Sequence, residues 1–177
     1  HREVVIDPLN FNSDGTIQPV AVSLTGLQSP VSPNPNNTLA SDGSSTVSVD
    51  DEVYGTGQNQ FNYNGSGWSH GGCTGCYSND NSWDNTTNQY VTVAFTGTQI
   101  AFYGVKDTLH GIGACSIDGG AETNVDFYSD TRAGNQLLWT SPVLSSGQHT
   151  FKIRVTGSKN ASSTNTYVVP DRVDIIA

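Results

Sequence analysis

The chain has 177 residues, of which 13% are charged and 34% are hydrophobic, and its formal net charge is −9. A nucleic-acid partner needs a basic patch that neutralises phosphates, so this charge argues against one, and it disfavours anionic polysaccharides for the same reason. The sequence has no apolar run long enough to span a bilayer, so it predicts no membrane contact.

Residues 1–24 begin with a hairpin-like unit, in which an apolar strand is followed by the turn 12–15 and a short return strand. The run Asp14-Gly15-Thr16-Ile17, followed by Pro19-Val20, resembles the last strand pair of the catalytic propeller of family-43 glycoside hydrolases. The resemblance implies that the chain is the C-terminal part of a modular hydrolase, whose catalytic domain is a partner within the same parent chain. A plain N-terminal β-hairpin of the following domain is the alternative.

Residues 25–45 are rich in Ser, Pro and Asn. Pro30, Pro33 and Pro35 prevent regular structure and favour extended backbone. This segment is predicted to be a linker, or else an extended arm packed on the domain formed by residues 46–177.

The region after Tyr90 is predicted to consist of successive short strands. The clearest is 149–156, where Phe151, Ile153 and Val155 alternate with polar residues, the period-2 pattern of a strand with one buried face. Short strands separated by Gly-rich or Ser-rich turns predict an all-β fold, an antiparallel β-sandwich of jelly-roll type without significant helix. The predicted strands are 90–96, 99–103, 112–118, 123–128, 136–140, 149–156 and 167–176.

Strand reversal has a consequence for the loops. Successive loops of an antiparallel chain alternate between the two ends of the sandwich, and loops displayed on a rigid scaffold are common binding sites. The polar and aromatic segments are expected to gather at one end, provided that no strand is missed within the Gly- and Asn-rich stretch 55–89, of which 60–63 or 68–69 could be one. Those segments are 55–89, 105–111, 129–135 and 157–166.

Several short runs at matching separations resemble those of a known class of modules. They include Phe61–Trp68 (FNYNGSGW), Ser116–Gly120 (SIDGG), Gly147–Thr150 (GQHT) and Tyr167–Asp174 (YVVPDRVD). Over 46–177 the chain resembles the jelly-roll, galactose-binding-like accessory modules appended to glycoside hydrolases and carbohydrate esterases. The resemblance implies a carbohydrate-binding module, although such modules range from sugar binders to inert spacers.

Three cysteines are present. Cys115 alternates into a strand and is expected to be a small buried hydrophobe. Cys73 and Cys76 are predicted to form a local disulfide. Two free thiols, or a zinc site completed by His70 and His110, are the alternatives.

Sugar recognition needs flat aromatic faces for the C–H side of a pyranose and several polar groups for its hydroxyls. Trp83, surrounded by polar residues, is the best stacking candidate, with loop anchoring as its alternative, and Tyr77 is the second candidate. Trp68 and Trp139 are expected to be structural. The predicted ligand-binding residues are Trp83, Tyr77, Asn79, Asp80, His110, Arg132 and Asn165.

Two members of this set have local alternatives. A loop histidine such as His110 is often a hydrogen-bond anchor for its own segment. Arg132 can equally form an ion pair with Asp130 or Asp107.

Structural calcium is an open prediction, with Asp50-Asp51-Glu52 or the pair Asp171 and Asp174 as oxygen donors, and surface acidity explains the same residues equally well. No nucleophile elbow or zinc-protease motif occurs in the sequence.

The sequence therefore predicts a secreted, non-catalytic module that targets a glycoside hydrolase to plant cell-wall polysaccharide, either hemicellulose or glycans of the galactan and arabinan type. A structural spacer that stabilises the catalytic domain without binding sugar is the alternative, and an intact small enzyme is a third hypothesis.

Overall fold

The computed structural model describes residues 45–177 and the backbone of 37–39. The segment that resembles a propeller end, and most of the predicted linker, lie outside the described residues. The strands are β1 Asn37–Leu39, β2 Ser45–Asp50, β3 Phe61–Asn64, β4 Ser69–Gly72, β5 Asp80–Trp83, β6 Tyr90–Gly97, β7 Gln99–Lys106, β8 Ile112–Ile117, β9 Thr123–Asp126, β10 Ala133–Thr140, β11 Gly147–Val155 and β12 Pro170–Ile176. β1 lies within the stretch that the sequence assigns to linker, and it pairs with β2.

The strands form two five-stranded sheets and one hairpin. One sheet has the order β1-β2-β12-β7-β10, the other has the order β3-β6-β11-β8-β9, and β4 pairs with β5 alone. Every pairing between these strands is antiparallel. The predicted all-β antiparallel sandwich is confirmed, and the helical structure in the described residues is one 3₁₀ turn at Tyr77–Asn79. The described residues include no helix long and apolar enough to cross a membrane.

The core follows from the alternation of apolar residues. Phe151, Ile153 and Val155 of β11 are all 0% exposed, and Phe151 lies opposite Val93 of β6 in the register. Burying each such side chain contributes about 1.5–3 kcal/mol. Cys115 is a buried free thiol within the same core, as expected. The two sheets therefore form a rigid base for the loops.

The stretch 55–89 is the main correction to the sequence analysis, because it contains β3, β4 and β5 rather than one long loop. β3 overlaps the possible strand 60–63 over three residues, β4 overlaps 68–69 only at Ser69, and β5 was not anticipated. The condition that no strand is missed in 55–89 is therefore not met. β4 (SHGG) and β5 (DNSW) lack any apolar alternation, so their sequences carry no strand signal. The alternation of loops after Tyr90 is unaffected, since it depends only on β6 and the later strands.

Candidate functional site

A cleft of about 330 Å³ opens between the β4–β5 hairpin and the loops that follow β7, β9 and β11. This volume is at the lower end of the range of roughly 300–1,000 Å³ for small-molecule sites. The residues that line the cleft come from the hairpin and from those three loops, the last of which leads into β12. They are Gly72, Asn81, Trp83, Leu109, His110, Arg132, Tyr167 and Val169.

The β4–β5 hairpin has two functionally different faces. Asn81 and Trp83 of β5 line the cleft, whereas Ser82 between them bonds to groups on the other side. The Trp83 ring lies across the backbone of β4, because a Cβ added at Gly71 would meet its Cη2 atom at 3.2 Å. The absence of a side chain at Gly71 therefore leaves room for the edge of the indole next to this strand.

Trp83 is partly buried by a small apolar cluster beneath the cleft. Cys73, Cys76, Val105 and Val169 form this cluster, and Trp83 packs against it. Both of the alternatives that the sequence left open for Trp83 are therefore compatible with its position, since the residue anchors the hairpin and also lines the cleft.

His110 is 5% exposed, and its Nδ1 lies 2.7 Å from the carbonyl oxygen of Val105. A carbonyl can only accept, so Nδ1 carries the hydrogen. Burial lowers the pKa of His110 below its ordinary value, which favours the neutral ring. The remaining ring nitrogen, Nε2, is then a hydrogen-bond acceptor.

Arg132 forms its ion pair with Asp107 rather than with Asp130. Its Nη1 donates to Asp107 Oδ2 at 3.0 Å, and its Nη2 donates to Cys73 Sγ at 3.5 Å. Partial burial raises the pKa of Asp107, but the hydrogen bonds from Arg132 and Thr108 outweigh it and hold that pKa below its ordinary value. With 48% of its side chain exposed, the anchored guanidinium still faces solvent.

The other four predicted ligand residues are not among the residues that line the cleft. The Tyr77 ring lies under the guanidinium of Arg172, at 5.1 Å. Asn79 is exposed, and its carbonyl accepts from the Cys73 backbone N–H at 2.7 Å. The side-chain oxygen of Asn165 accepts from Asn85 at 3.2 Å, and Asp80 belongs to an acidic cluster that is described below.

Five lining residues were not among the predicted ligand residues, and three of them have side chains that bear on the argument. Leu109 lies in a segment that was expected at this end of the sandwich, whereas Tyr167 was assigned to a predicted strand, and neither residue had a signal of its own. Asn81 is 3% exposed and is two residues from Trp83, so it shares a face of β5 with the indole. Recognition of β5 as a strand would have identified it.

The predicted disulfide between Cys73 and Cys76 is formed, with the two Cα atoms 5.5 Å apart. Its loop packs tightly against the start of β10, because a Cβ at Gly134 would lie 2.6 Å from the Gly75 carbonyl oxygen and 2.8 Å from Cys76 Sγ. The disulfide therefore lies directly behind the wall of the cleft, next to Arg132.

A second polar cluster on the opposite face of the hairpin contains Ser, His and Asp side chains. Ser82 donates to Asp51, and its oxygen lies 2.6 Å from Nδ1 of His70. The serine lies between the other two residues and is 0% exposed, so it is out of reach of a substrate. This arrangement is a structural network and lacks the order of a nucleophilic triad.

The structure brings only some of the predicted calcium donors together. Asp50 and Asp51 lie with Asp80 in a group whose ligand atoms are all within 4.8 Å of one another, and Glu52 is outside that group. The carboxylate oxygens of Asp171 accept from backbone N–H groups, and those of Asp174 accept from Ser48 and Arg172.

The Asp171 and Asp174 alternative therefore does not fit, because those oxygens already have protein donors. In the first group, burial and then repulsion by neighbouring carboxylates raise the pKa of Asp51 to about 8, although the Ser82 hydrogen bond lowers it. The residues that fit a hard cation are Asp50, Asp51 and Asp80.

No family model matches this sequence, and no curated protein matches it. Solved structures with a similar fold include a two-domain esterase active on acetylated mannans, co-crystallised with mannopentaose. It is 11% identical, with 75% of this chain and 36% of that chain covered and a TM-score of 0.51. At this identity the likeness establishes the β-sandwich fold alone.

Two further similar structures have lower TM-scores. An exo-β-1,3-galactanase from Phanerochaete chrysosporium is 14% identical over 75% of this chain and 29% of that chain, with a TM-score of 0.45. The CBM36-1 domain of a multidomain xylanase from the hindgut metagenome of Trinervitermes trinervoides is 13% identical over 75% of this chain and 96% of that chain, with a TM-score of 0.44. The chain thus spans about a third of the esterase and less than a third of the galactanase.

Proposed function

We propose that residues 46–177 form a non-catalytic carbohydrate-binding module and that the cleft holds one or a few sugar units. The observation that carries this proposal is the position of the Trp83 indole, which lies in one small cleft together with Asn81, His110 and Arg132.

The chemistry of the cleft suits a neutral sugar. The indole offers an apolar face to the C–H side of a pyranose. Around it, the guanidinium of Arg132 donates, Nε2 of His110 accepts, and the Asn81 carboxamide can do both. Sugar hydroxyls also donate and accept, so a mixed set of this kind fits them better than a cleft of one polarity.

Binding rather than catalysis is supported by the residue types. None of the described residues that line the cleft is an aspartate or a glutamate, so the cleft lacks the paired carboxylates of a glycoside hydrolase. Asp107, the acid that contacts the lining residue Arg132, is held in an ion pair with it. We therefore assign the cleft a recognition role.

In the proposed biological setting, the module is secreted and tethers a glycoside hydrolase to plant cell-wall polysaccharide. Affinity in the micromolar to millimolar range would suffice, because tethering raises the effective concentration of the enzyme on an insoluble polymer. Hemicelluloses and glycans of the galactan and arabinan type are the proposed targets, and the esterase with the similar fold makes acetylated mannans a further class to screen.

The test is a binding screen of the purified chain against mannans, xylans, galactans and arabinans by affinity electrophoresis, followed by calorimetry with the best oligosaccharide. Trp83→Ala should weaken binding at least tenfold, about 1.4 kcal/mol, because the stacking face is lost. Tyr90→Ala is the matched control, since Tyr90 is a partly buried aromatic residue of β6 that does not line the cleft.

Thermal unfolding should show that both variants remain folded. Unchanged affinity in Trp83→Ala would refute the proposed site. Failure of the native chain to bind any of these glycans would instead favour the structural spacer.

A further inference from the structure

We propose a calcium site formed by Asp50, Asp51 and Asp80, which fixes the strand that carries two residues of the cleft. Asp50 ends β2, Asp51 follows it, and Asp80 begins β5. The ligand atoms of the three carboxylates lie within 4.8 Å of one another. A cation bound there would join the hairpin to the main sandwich.

The independent observation is a pair of buried carboxylate oxygens that lack any donor. Asp51 is 0% exposed, and its Oδ2 accepts from Ser82 and Tyr63, yet its Oδ1 has no hydrogen-bond partner among the described residues. Asp80 Oδ1 is equally shut off from solvent and equally without a partner. Leaving a buried polar oxygen without a partner is unfavourable, and coordination of a metal ion removes that cost.

No Lys or Arg side chain within the described part of the chain forms an ion pair with these three aspartates. The negative charge of the cluster is therefore not balanced by the described side chains. Asp51 is held in place from both sides, because its backbone N–H donates to the Asp171 carbonyl at 3.1 Å and its side chain accepts from Ser82.

The donor set selects the type of cation. All the candidate ligand atoms are carboxylate oxygens, which suit a hard cation, and Ca²⁺ completes its shell of 6–8 oxygens with carbonyls or waters in flexible geometry. Zinc prefers nitrogen and sulfur ligands. The sulfurs of Cys73 and Cys76 are joined in their disulfide, and Nδ1 of His70 is bonded to Ser82.

The alternation of β5 connects this site to the cleft. Asp80 and Ser82 point to the acidic cluster and its hydrogen-bond network, while Asn81 and Trp83 line the cleft. A cation on one face of this four-residue strand would therefore restrict the residues on the other face. The effect on sugar binding, unlike the cation site itself, rests on the proposed function.

The experiment measures calcium without any glycan. The chain is stripped with a chelator and titrated with CaCl₂ by calorimetry and by thermal unfolding. We expect one ion per chain and, at a hundredfold excess over the dissociation constant, a rise in the unfolding midpoint of about 5–10 °C.

Asp80→Asn should weaken calcium binding at least tenfold. Glu52→Gln is the control, because Glu52 is an exposed neighbouring acid outside the cluster. The dissociation constant for calcium should change by no more than about twofold in this variant, since surface substitutions usually have small effects. Asp51→Asn is informative only if the variant folds, so Asp80→Asn is the decisive variant. Absence of calcium binding in the native chain, or full binding in Asp80→Asn, would overturn the site.

Hydrogen exchange tests the connection to the cleft. Calcium should slow amide exchange in residues 69–83 by more than it slows exchange in β11, where any protection reflects only the rise in global stability. Unchanged exchange in the hairpin of a calcium-loaded chain would overturn the connection. If calcium protects the hairpin but no glycan binds, the proposed function fails while the cation site stands, so the two failures are distinguishable.

Discussion

Reduction of the Cys73–Cys76 disulfide should destabilise the protein modestly and damage the cleft strongly. The two cysteines are three positions apart, so the bond closes a loop of four residues. The chain-entropy relation gives about −6 cal/mol/K for a loop of this length, which corresponds to about 2 kcal/mol of unfolding free energy at 25 °C.

The local effect should be larger because of what surrounds the sulfurs. Cys73 Sγ accepts a hydrogen bond from Arg132, and both cysteines belong to the apolar cluster against which Trp83 packs. Once the bond is broken, the loop that supports these two side chains gains freedom. We therefore expect sugar affinity to fall even where the sandwich remains folded.

Urea unfolding with and without a phosphine reductant measures the global effect. For a slope of about 2 kcal/mol/M, a loss of 2 kcal/mol lowers the midpoint by about 1 M. The double variant Cys73→Ala/Cys76→Ala is the control, because the reductant should not change its midpoint. Cys115 is a free thiol in both proteins and contributes no difference.

An unchanged midpoint after verified reduction would refute the entropic argument. Unchanged affinity for the best oligosaccharide would refute the claim that the disulfide supports the wall of the cleft.

Two further predictions concern the sandwich. Arg154 and Lys152 hold the pKa of Glu122 at about 2, below the ordinary 4.5. The ionised carboxylate therefore stabilises the folded protein by about 1 kcal/mol after screening by solvent. This contribution is complete above pH 4.5 and is lost as the pH falls towards 2. Urea titrations at pH 6 and pH 3 should therefore show a smaller acid loss in Glu122→Gln than in the native chain, and an equal loss would contradict the assignment. Gly134→Ala should lower the free energy of unfolding by about 1–3 kcal/mol, because the new Cβ would overlap the Gly75 carbonyl. Gly147→Ala is the control and should be nearly neutral, since nothing lies within 4 Å of its Cβ. Equal urea midpoints for the two variants would show that the loop at Gly75 moves to accommodate the methyl group.

Much of the sandwich could be predicted because its strands alternate. The period-2 pattern in β6 and β11 identified both strands, which are neighbours in one sheet, and the structure buries the apolar residues of both in the same core. β4 and β5 could not be predicted in the same way. Apart from Trp83, their residues are polar or glycine. They become strands through pairing with each other and through contacts such as Ser82 with Asp51, which are distant in sequence.

The candidate site shows the same division. Strand reversal after β6 was enough to expect His110 and Arg132 at the same end of the sandwich. It did not extend to Trp83, because Trp83 lies on β5, inside the stretch where the condition of no missed strand is not met. Asn81 and Asp80 could be assigned to the cleft and to the acidic cluster only once β5 was known to be a strand, because neighbouring residues of a strand face opposite sides. The acidic run at Asp50 and Asp51 was visible in the sequence, but its third member, Asp80, is brought to it by the hairpin alone.

The most direct test of the proposed sugar site is an NMR titration of the ¹⁵N-labelled chain with the best-binding oligosaccharide. The three tryptophans give three indole N–H signals, and two of them, Trp68 and Trp139, belong to side chains that pack against the core. We predict that the Trp83 indole signal shifts in proportion to bound ligand while the other two stay in place. A shift of Trp68 or Trp139 with an unmoved Trp83 would contradict the assignment of the cleft.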